Sequence, residues 1–251
     1  MNHALLDGDI LLYRVGYTTN EETEEVAQFR MEELIQRILD TIKATQVSIF
    51  LSCGRADSFR AKLNPDYKAH RKQEKPVHYA FLRQYLIDVW GAVEGIGEEA
   101  DDLIGIAQNT LTNTTACTID KDILYGVKGD KFDFVKEKVF HTTEEDARHF
   151  FYKQLLMGDR VDNIFGITGV GTAKSDKILD GLWGESHEKY WNKVVDTYRG
   201  YLQTEWADQY EEWTDVEEER MIKMITLSGQ QLKIRSEIGE IWQPPHGLLG
   251  D

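Results

Sequence analysis

Apolar and polar positions change period several times along the chain, and each period predicts an element. Residues 4–7 (Ala-Leu-Leu-Asp) form a short apolar run closed by an acid, which predicts a buried strand. Over 21–43, Val26, Phe29, Leu34, Ile38 and Ile42 recur at helical spacing with acids opposite, which predicts an amphipathic helix. Residues 47–53 are rich in β-branched and aromatic side chains and read as a central strand. Segment 54–76 has no clear period, contains Pro65 and Pro76, and reads as an ordered loop or a mobile arch. A helical pattern returns through Phe81, Leu82, Tyr85, Leu86, Val89 and Trp90. Residues 91–97 and 98–111 then read as strand, turn and helix, residues 114–120 as a strand ending at another acid, and 132–142 as a hairpin.

Such alternation predicts an α/β fold with a mostly parallel central sheet and helices on both faces. From about 144 the pattern becomes helical: one amphipathic helix over 144–158, another beginning in 173–182 after a glycine-rich turn, and two or three acidic, aromatic-bearing helices within 186–228. Residues 237–242 are expected as a last strand or hairpin arm.

A chain of 251 residues suits one large α/β domain, or a core with a smaller appendage. Its two cysteines, Cys53 and Cys117, cannot build a disulfide framework, so a reducing cytoplasm is the default expectation. Residues 1–17 do not read as a signal peptide, because Asp7 and Asp9 interrupt the apolar run. The longest uncharged stretch, 103–119, is full of Thr and Asn, and no membrane association is expected.

The net charge of −15 counts against a generic nucleic-acid binder. The distribution is uneven, however. Residues 60–75 carry Arg60, Lys62, Lys68, Arg71, Lys72 and Lys75 against Asp66 and Glu74, while acid gathers in 21–33 and 205–219. Taken alone, the basic run reads equally as a solvated loop.

Candidate chemistry lies in four groups of acids: Asp7; Glu99, Asp101 and Asp102; Asp120 and Asp122; Asp159 and Asp162. Each has a plain structural reading, as a helix opening, a strand-end turn or a cap after Gly158. All four are nevertheless expected at the carboxyl edge of one sheet, where sites form in this fold class. Two carboxylates 4 Å apart repel by about 4 kcal/mol at an effective dielectric near 20. Eight crowded together require cations or raised pKa values. Oxygen donors without a His or Cys set favour Mg²⁺ or Mn²⁺ over zinc. An EF-hand over 120–131 fails, since Leu124 and Tyr125 occupy places that need an oxygen ligand and a glycine. The seven histidines are scattered, and no G-x-S-x-G element supports a serine nucleophile. The turn GITGVGTAK (166–174) opens a helix whose free N–H groups and Lys174 suit a phosphate; by itself it is also a plain tight turn.

Taken in order, LLDGDILLYR (5–14), SFRAKLNPDYKAHRK (58–72), GEEADDLIG (97–105), TIDKDILYGV (118–127) and MGDRVDNIFGITGVGTAKSDKIL (157–179) resemble the flap endonuclease/5′→3′ exonuclease family. That family includes bacteriophage enzymes and the 5′ nuclease domain of bacterial DNA polymerase I. The resemblance spans roughly 4–180; the tail, 185–251, carries no comparable motif. It implies a PIN-like nuclease core over 1–145 with an arch at about 54–76. A helical region, 146–251, would follow, and its turn at 163–176 is similar to the family's helix–three-turn–helix DNA-binding element.

The resemblance further implies two Mg²⁺ or Mn²⁺ ions. Asp7, Glu99, Asp101 and Asp102 would surround the first, and Asp120, Asp122, Asp159 and Asp162 would bind or orient the second. Lys68 and Arg71 would contact the scissile phosphate with Arg60 in support. Tyr67 would stack on a base, and Lys72, Gly169, Gly171 and Lys174 would bind DNA, with a K⁺ ion at the glycine turn. The implied reaction is hydrolysis near 5′ ends or 5′ flaps of DNA, with RNA–DNA hybrids as further substrates, in phage replication or recombination. A replication protein is an expected partner of the acidic C-terminal region. One position departs from the family pattern, which has an Asp where this chain has Ser52-Cys53-Gly54; Asp57, Asp9 or a water would fill the place. Three other readings stay open: a structure-specific DNA binder that has lost cleavage, a PIN-type RNase, and a non-nuclease regulatory protein.

Overall fold

The computed structural model describes residues 2–71, 74–206 and 212–245. By contacts the chain divides into two compact units. The first comprises Met1–Phe59, Lys72–Glu144 and Ile234–Glu240, and the second Arg60–Arg71, Glu145–Lys233 and Ile241–Asp251.

In the first unit, β1 (Asn2–Asp7), β2 (Ala44–Leu51), β3 (Val93–Glu94), β4 (Thr114–Thr118), β5 (Gly129–Asp133) and β6 (Lys138–Thr142) form one sheet in the order β3-β2-β1-β4-β5-β6. All neighbours are parallel except β5 and β6, which form the expected antiparallel hairpin. Alternate residues of β1 enter different cores, because successive side chains of a strand point to opposite faces. Ala4 and Leu6 pack with Leu11, Leu12 and Val15 of α1 (Gly8–Thr18), with Met31, Ile35 and Ile38 of α2 (Glu24–Ile42), and with Leu82 and Leu86 of α4 (Tyr79–Trp90). Leu5 instead packs with Ala116, with Ala100 and Ile104 of α5 (Ala100–Thr110), and with Ile123 of α6 (Lys121–Gly126). Helices therefore cover both faces, and the central strand runs apolar until its terminal Asp.

Helices α1 and α6 lie where the sequence pattern assigned none. Each is started by an acid at or just past a strand end: Asp7 closes β1 and accepts from Ile10 N at 3.1 Å, and Asp120, two residues beyond β4, accepts from Asp122 N at 2.7 Å. Six residues of α6 are too few to display a period. Among its described residues, the expected segment 54–76 holds a 3-10 turn at Arg55–Asp57 and a short helix α3 (Phe59–Leu63). The strand expected over 237–242 is corrected. The Glu240 carboxylate accepts from Ser236 N at 2.6 Å and Glu237 N at 3.3 Å, folding these residues into a tight loop with no ladder.

The second unit is built from α7 (Glu144–Met157), α8 (Thr172–Ile178), α9 (His187–Glu205) and α10 (Asp215–Leu232). Tyr152 and Tyr190 stack at 4.9 Å in its core, and the buried Tyr198 hydroxyl donates to Leu155 O at 2.6 Å. Residues of 60–71 join this unit through Lys68 N, which donates to Asp162 O at 2.9 Å, and through Asn163 Nδ2, which donates to Asp66 O at 3.1 Å. Among the described residues, no helix is long and apolar enough to cross a membrane.

Candidate functional site

The carboxyl edge of the first unit's sheet collects acids because β1 and β4 are each followed by a helix that an acid caps, Asp7 at α1 and Asp120 at α6. Asp7 closes β1 and is only 2% exposed. Thr118 closes β4, and its Oγ1 donates to Asp7 Oδ2 at 2.9 Å while accepting from Asp120 N at 3.0 Å. One hydroxyl thus bridges the ends of two neighbouring strands. Asp9, in the first turn of α1, accepts from Ser52 N at 3.2 Å, just past β2. Burial, then the charge of Asp9, then that of Asp120 push the Asp7 carboxyl up to about 7, against the lowering effect of its hydrogen bonds. Burial likewise raises Asp9, and Glu99 adds to it.

The start of α5 supplies the next group. Glu99 precedes the helix, and its charge is felt by Asp9 and by the Cys53 thiol, which burial and Glu99 push up. Asp102 is fully buried; its Oδ2 accepts from Glu99 N at 3.1 Å and its Oδ1 from Arg235 N at 3.1 Å. It therefore orients the Glu99 backbone directly. Asp101 and Asp122 lie in the first turns of α5 and α6. Asp7, Asp9, Glu99 and Asp120 share one electrostatic neighbourhood. Of the two acids offered for the place left by Cys53, Asp9 holds the backbone N–H of the preceding residue, and Asp57 also acts on the thiol. Among the described residues, no group of three or more His, Cys, Asp or Glu stands arranged to hold a metal ion. The chemistry of the donors nonetheless suits a hard divalent cation: they are oxygens almost throughout, with a buried carboxylate facing like charges.

In the second unit, Asp159 caps its own turn, with Oδ1 accepting from Val161 N at 2.8 Å and Asp162 N at 3.3 Å, and it pairs with Ile164 in a two-way backbone bridge. Asp162 forms an ion pair with Arg71, lies 3.8 Å from Lys68 Nζ, and accepts weakly from the Tyr67 hydroxyl at 3.4 Å. The two cations expected at a phosphate are therefore held by an acid expected at a metal.

Two of the residues expected near the DNA lie buried. Arg60 is 3% exposed and donates to Gln231 O at 2.7 Å and Lys233 O at 3.0 Å, tying α3 to the end of α10. Those carbonyls lack intrahelical partners, so a guanidinium satisfies them. Tyr67 is 2% exposed inside the second core and offers no ring face for stacking. Lys72 lies outside the described residues. Gly169 has φ +76, Gly171 precedes α8, and Lys174 is exposed; a Cβ built at either glycine would meet open space.

Thr118 and Arg235 were absent from the expected site, and Asp9 entered it only as one candidate for the place left by Cys53. Asp9 had a signal, its position two residues beyond a strand-ending Asp. Thr118 and Arg235 had none, because their roles depend on which segments become neighbours.

A family described as "5'-3' exonuclease, N-terminal resolvase-like domain" matches residues 2–153. The chain is 30% identical over 205 residues to a 5'-3' exonuclease of Mycoplasma genitalium, covering 70% of each. It is 26% identical over 211 residues to DNA polymerase I of Caldicellulosiruptor bescii, covering 72% of this chain and only 24% of that relative's length. Among solved structures, bacteriophage T5 5'-exonuclease with zinc bound superposes with a TM-score of 0.64 at 19% identity, covering 92% of this chain and 90% of that one. The catalytic core of Rad2 in complex with DNA substrate gives 0.54 at 15% identity, covering 100% and 82%. At such identities the two structures speak for the fold alone.

Proposed function

Because the chain belongs to the 5'-3' exonuclease family through its N-terminal resolvase-like domain, we propose that it is a divalent-metal-dependent 5′ nuclease. It hydrolyses phosphodiester bonds of DNA near free 5′ ends or 5′ flaps. The observation that carries this reading is the Asp7 carboxylate, buried at the sheet edge and pushed up to about 7 by burial, Asp9 and Asp120. A buried anion facing like charges is stable when a cation compensates it.

Asp7, Glu99 and Asp101 hold a first Mg²⁺ or Mn²⁺, with Asp102 orienting Glu99. Asp120 and Asp122 hold or orient a second, and Asp159 and Asp162 are the second unit's own oxygens for a cation. When bound, such cations neutralise the scissile phosphate and lower the pKa of an attacking water. Lys68 and Arg71 offset charge developing on the phosphate oxygens; to do so they exchange the Asp162 carboxylate for the phosphate, one anionic partner for another. Gly169 and Gly171 let a duplex backbone approach the start of α8, Lys174 adds a point charge, and K⁺ is the ion proposed for that turn. RNA–DNA hybrids, a replication partner and a role in phage replication or recombination belong to the same reading.

The test is an end-labelled 5′-flap DNA incubated with Mg²⁺ and, separately, with EDTA. Cleavage only with Mg²⁺, leaving 5′-phosphate products, is the expected result. Binding without cutting supports the cleavage-deficient reading that Cys53 motivates, and preference for single-stranded RNA supports a PIN-type RNase. Lys68→Ala is expected to slow single-turnover cleavage by about 10²-fold, as for loss of one preorganised charge donor, with a far smaller change in flap Kd. Equal losses in both would reduce Lys68 to a general phosphate contact.

A further inference from the structure

We infer that Arg235 is a positioning residue that fixes the carboxylate-bearing start of α5 through a strut formed by residues 234–240, an inference that rests on the metal-dependent reading above. Arg235 is 6% exposed, and its Nη1 pairs with Oε1 of Glu98, another buried group, at 2.8 Å. Its guanidinium lies 3.5 Å from the centroid of the Phe59 ring, and its Nε donates to Glu240 O at 2.7 Å, which closes the loop. The backbone N–H of the same residue donates to Asp102 Oδ1. Its carbonyl occupies the space of a missing side chain at Gly105, where a Cβ would come within 2.5 Å. Ile234 fills the cluster containing Ala100 and Ile104, and Asn109 Nδ2 donates to Ser236 O at 3.2 Å.

The strut therefore touches α5 along its length and grips both residues that flank the candidate ligands. Glu98 precedes Glu99, and Asp102 follows Asp101. A buried carboxylate left without its cation is strongly penalised, so residue 98 moves toward water if Arg235 is lost. That movement turns the Glu99 backbone, which is otherwise held from the other side by Asp102. Partners that orient metal ligands in this way commonly govern affinity. Residue 235 lies beyond the region that matches the family, 2–153, so the strut comes from the part of the chain with no recognisable motif.

The test uses the full-length chain and Mn²⁺ alone, with bound Mn²⁺ read from the loss of the free-ion signal in electron paramagnetic resonance. Asp7→Asn identifies which bound Mn²⁺ belongs to the site. Arg235→Met is expected to weaken that site by about tenfold or more, and Arg235→Lys, which keeps the charge for Glu98, by distinctly less. Glu98→Gln provides a second route should Arg235→Met fail to fold. On a 5′-flap substrate the variants are expected to lose kcat at a given Mn²⁺ concentration and recover it at higher Mn²⁺, with KM for DNA nearly unchanged. A role confined to stability would lower Tm and leave Mn²⁺ affinity intact. Folded Arg235→Lys and Glu98→Gln proteins that bind Mn²⁺ as the wild type does would overturn the strut alone. A wild type that takes up no site Mn²⁺ would overturn the metal-dependent reading with it.

Discussion

Asp7→Asn is expected to lower cleavage by on the order of 10²–10³-fold, the scale of losing a preorganised electrostatic group, while making the cation-free protein more stable. The two effects have one cause. Asp7 is buried against Asp9 and Asp120, so its charge costs free energy until a cation is present. The full rise from 3.8 to about 7 corresponds to about 4 kcal/mol. Ile10 N and Thr118 Oγ1 donate to different oxygens of Asp7, so Asn keeps one of these acceptors and turns an NH₂ group toward the other donor; we therefore expect recovery of only about 1–2 kcal/mol. For a chain of this size that raises Tm by roughly 2–8 °C.

The pH dependence follows with a definite sign. A carboxyl raised in the folded state keeps a proton that the unfolded chain has released, so its contribution is fully present below about 4 and is lost as pH rises to about 7. In EDTA, the Tm advantage of Asp7→Asn should be small at pH 4 and complete by pH 8. Thermal melts of both proteins across that range check it, and an advantage independent of pH would place the Asp7 titration elsewhere.

Gly166→Ala is expected to cost about 3 kcal/mol, at the upper end for forced overpacking, and to lower Tm by roughly 6–12 °C. A Cβ there would lie 2.2 Å from Gly158 N and 2.2 Å from Met157 C, both backbone atoms that cannot rotate aside. Gly158 is itself in the left-handed region at φ +66 as the chain leaves α7, so the two glycines meet back to back. Between them runs the bridge from Asp159 to Ile164, which carries Asp162 and hence the partners of Lys68 and Arg71. The variant should therefore also lose the protection of Lys68 N seen by hydrogen exchange. Gly171→Ala is the internal control: its Cβ meets open space, so stability should change by less than about 0.5 kcal/mol. An equal Tm loss in both would show that the close approach at Gly166 is not what the turn depends on.

Much of the layout was readable from local pattern. Helices α2, α4, α5 and α7 announce themselves because one buried face imposes a period on the residues that fill it, and strands β1, β2 and β4 because burial within the sheet leaves short continuous runs of strand-forming residues. The acids at their ends were equally visible, since a short strand pattern followed by Asp7 or Asp120 marks where the chain leaves the sheet. The start of α5 was visible too, because Glu99, Asp101 and Asp102 crowd a helix N-terminus. Short helices such as α6 escaped, as their ends outweigh their period.

Partnership across distance was settled only by the fold. Strand order makes β4 the neighbour of β1, and that adjacency puts the Thr118 hydroxyl on Asp7 and joins Asp120 to the same neighbourhood. Packing turns Tyr67 and Arg60 inward, although a basic, proline-containing segment reads as solvated. Ion pairing gives Lys68 and Arg71 to Asp162, and the chain's return at Arg235 anchors Asp102 and Glu98. Local composition determines which side chains prefer burial and which cap a helix, since those preferences depend on near neighbours. Which charges meet is a property of three-dimensional contact between segments far apart in the chain, and no local period encodes it.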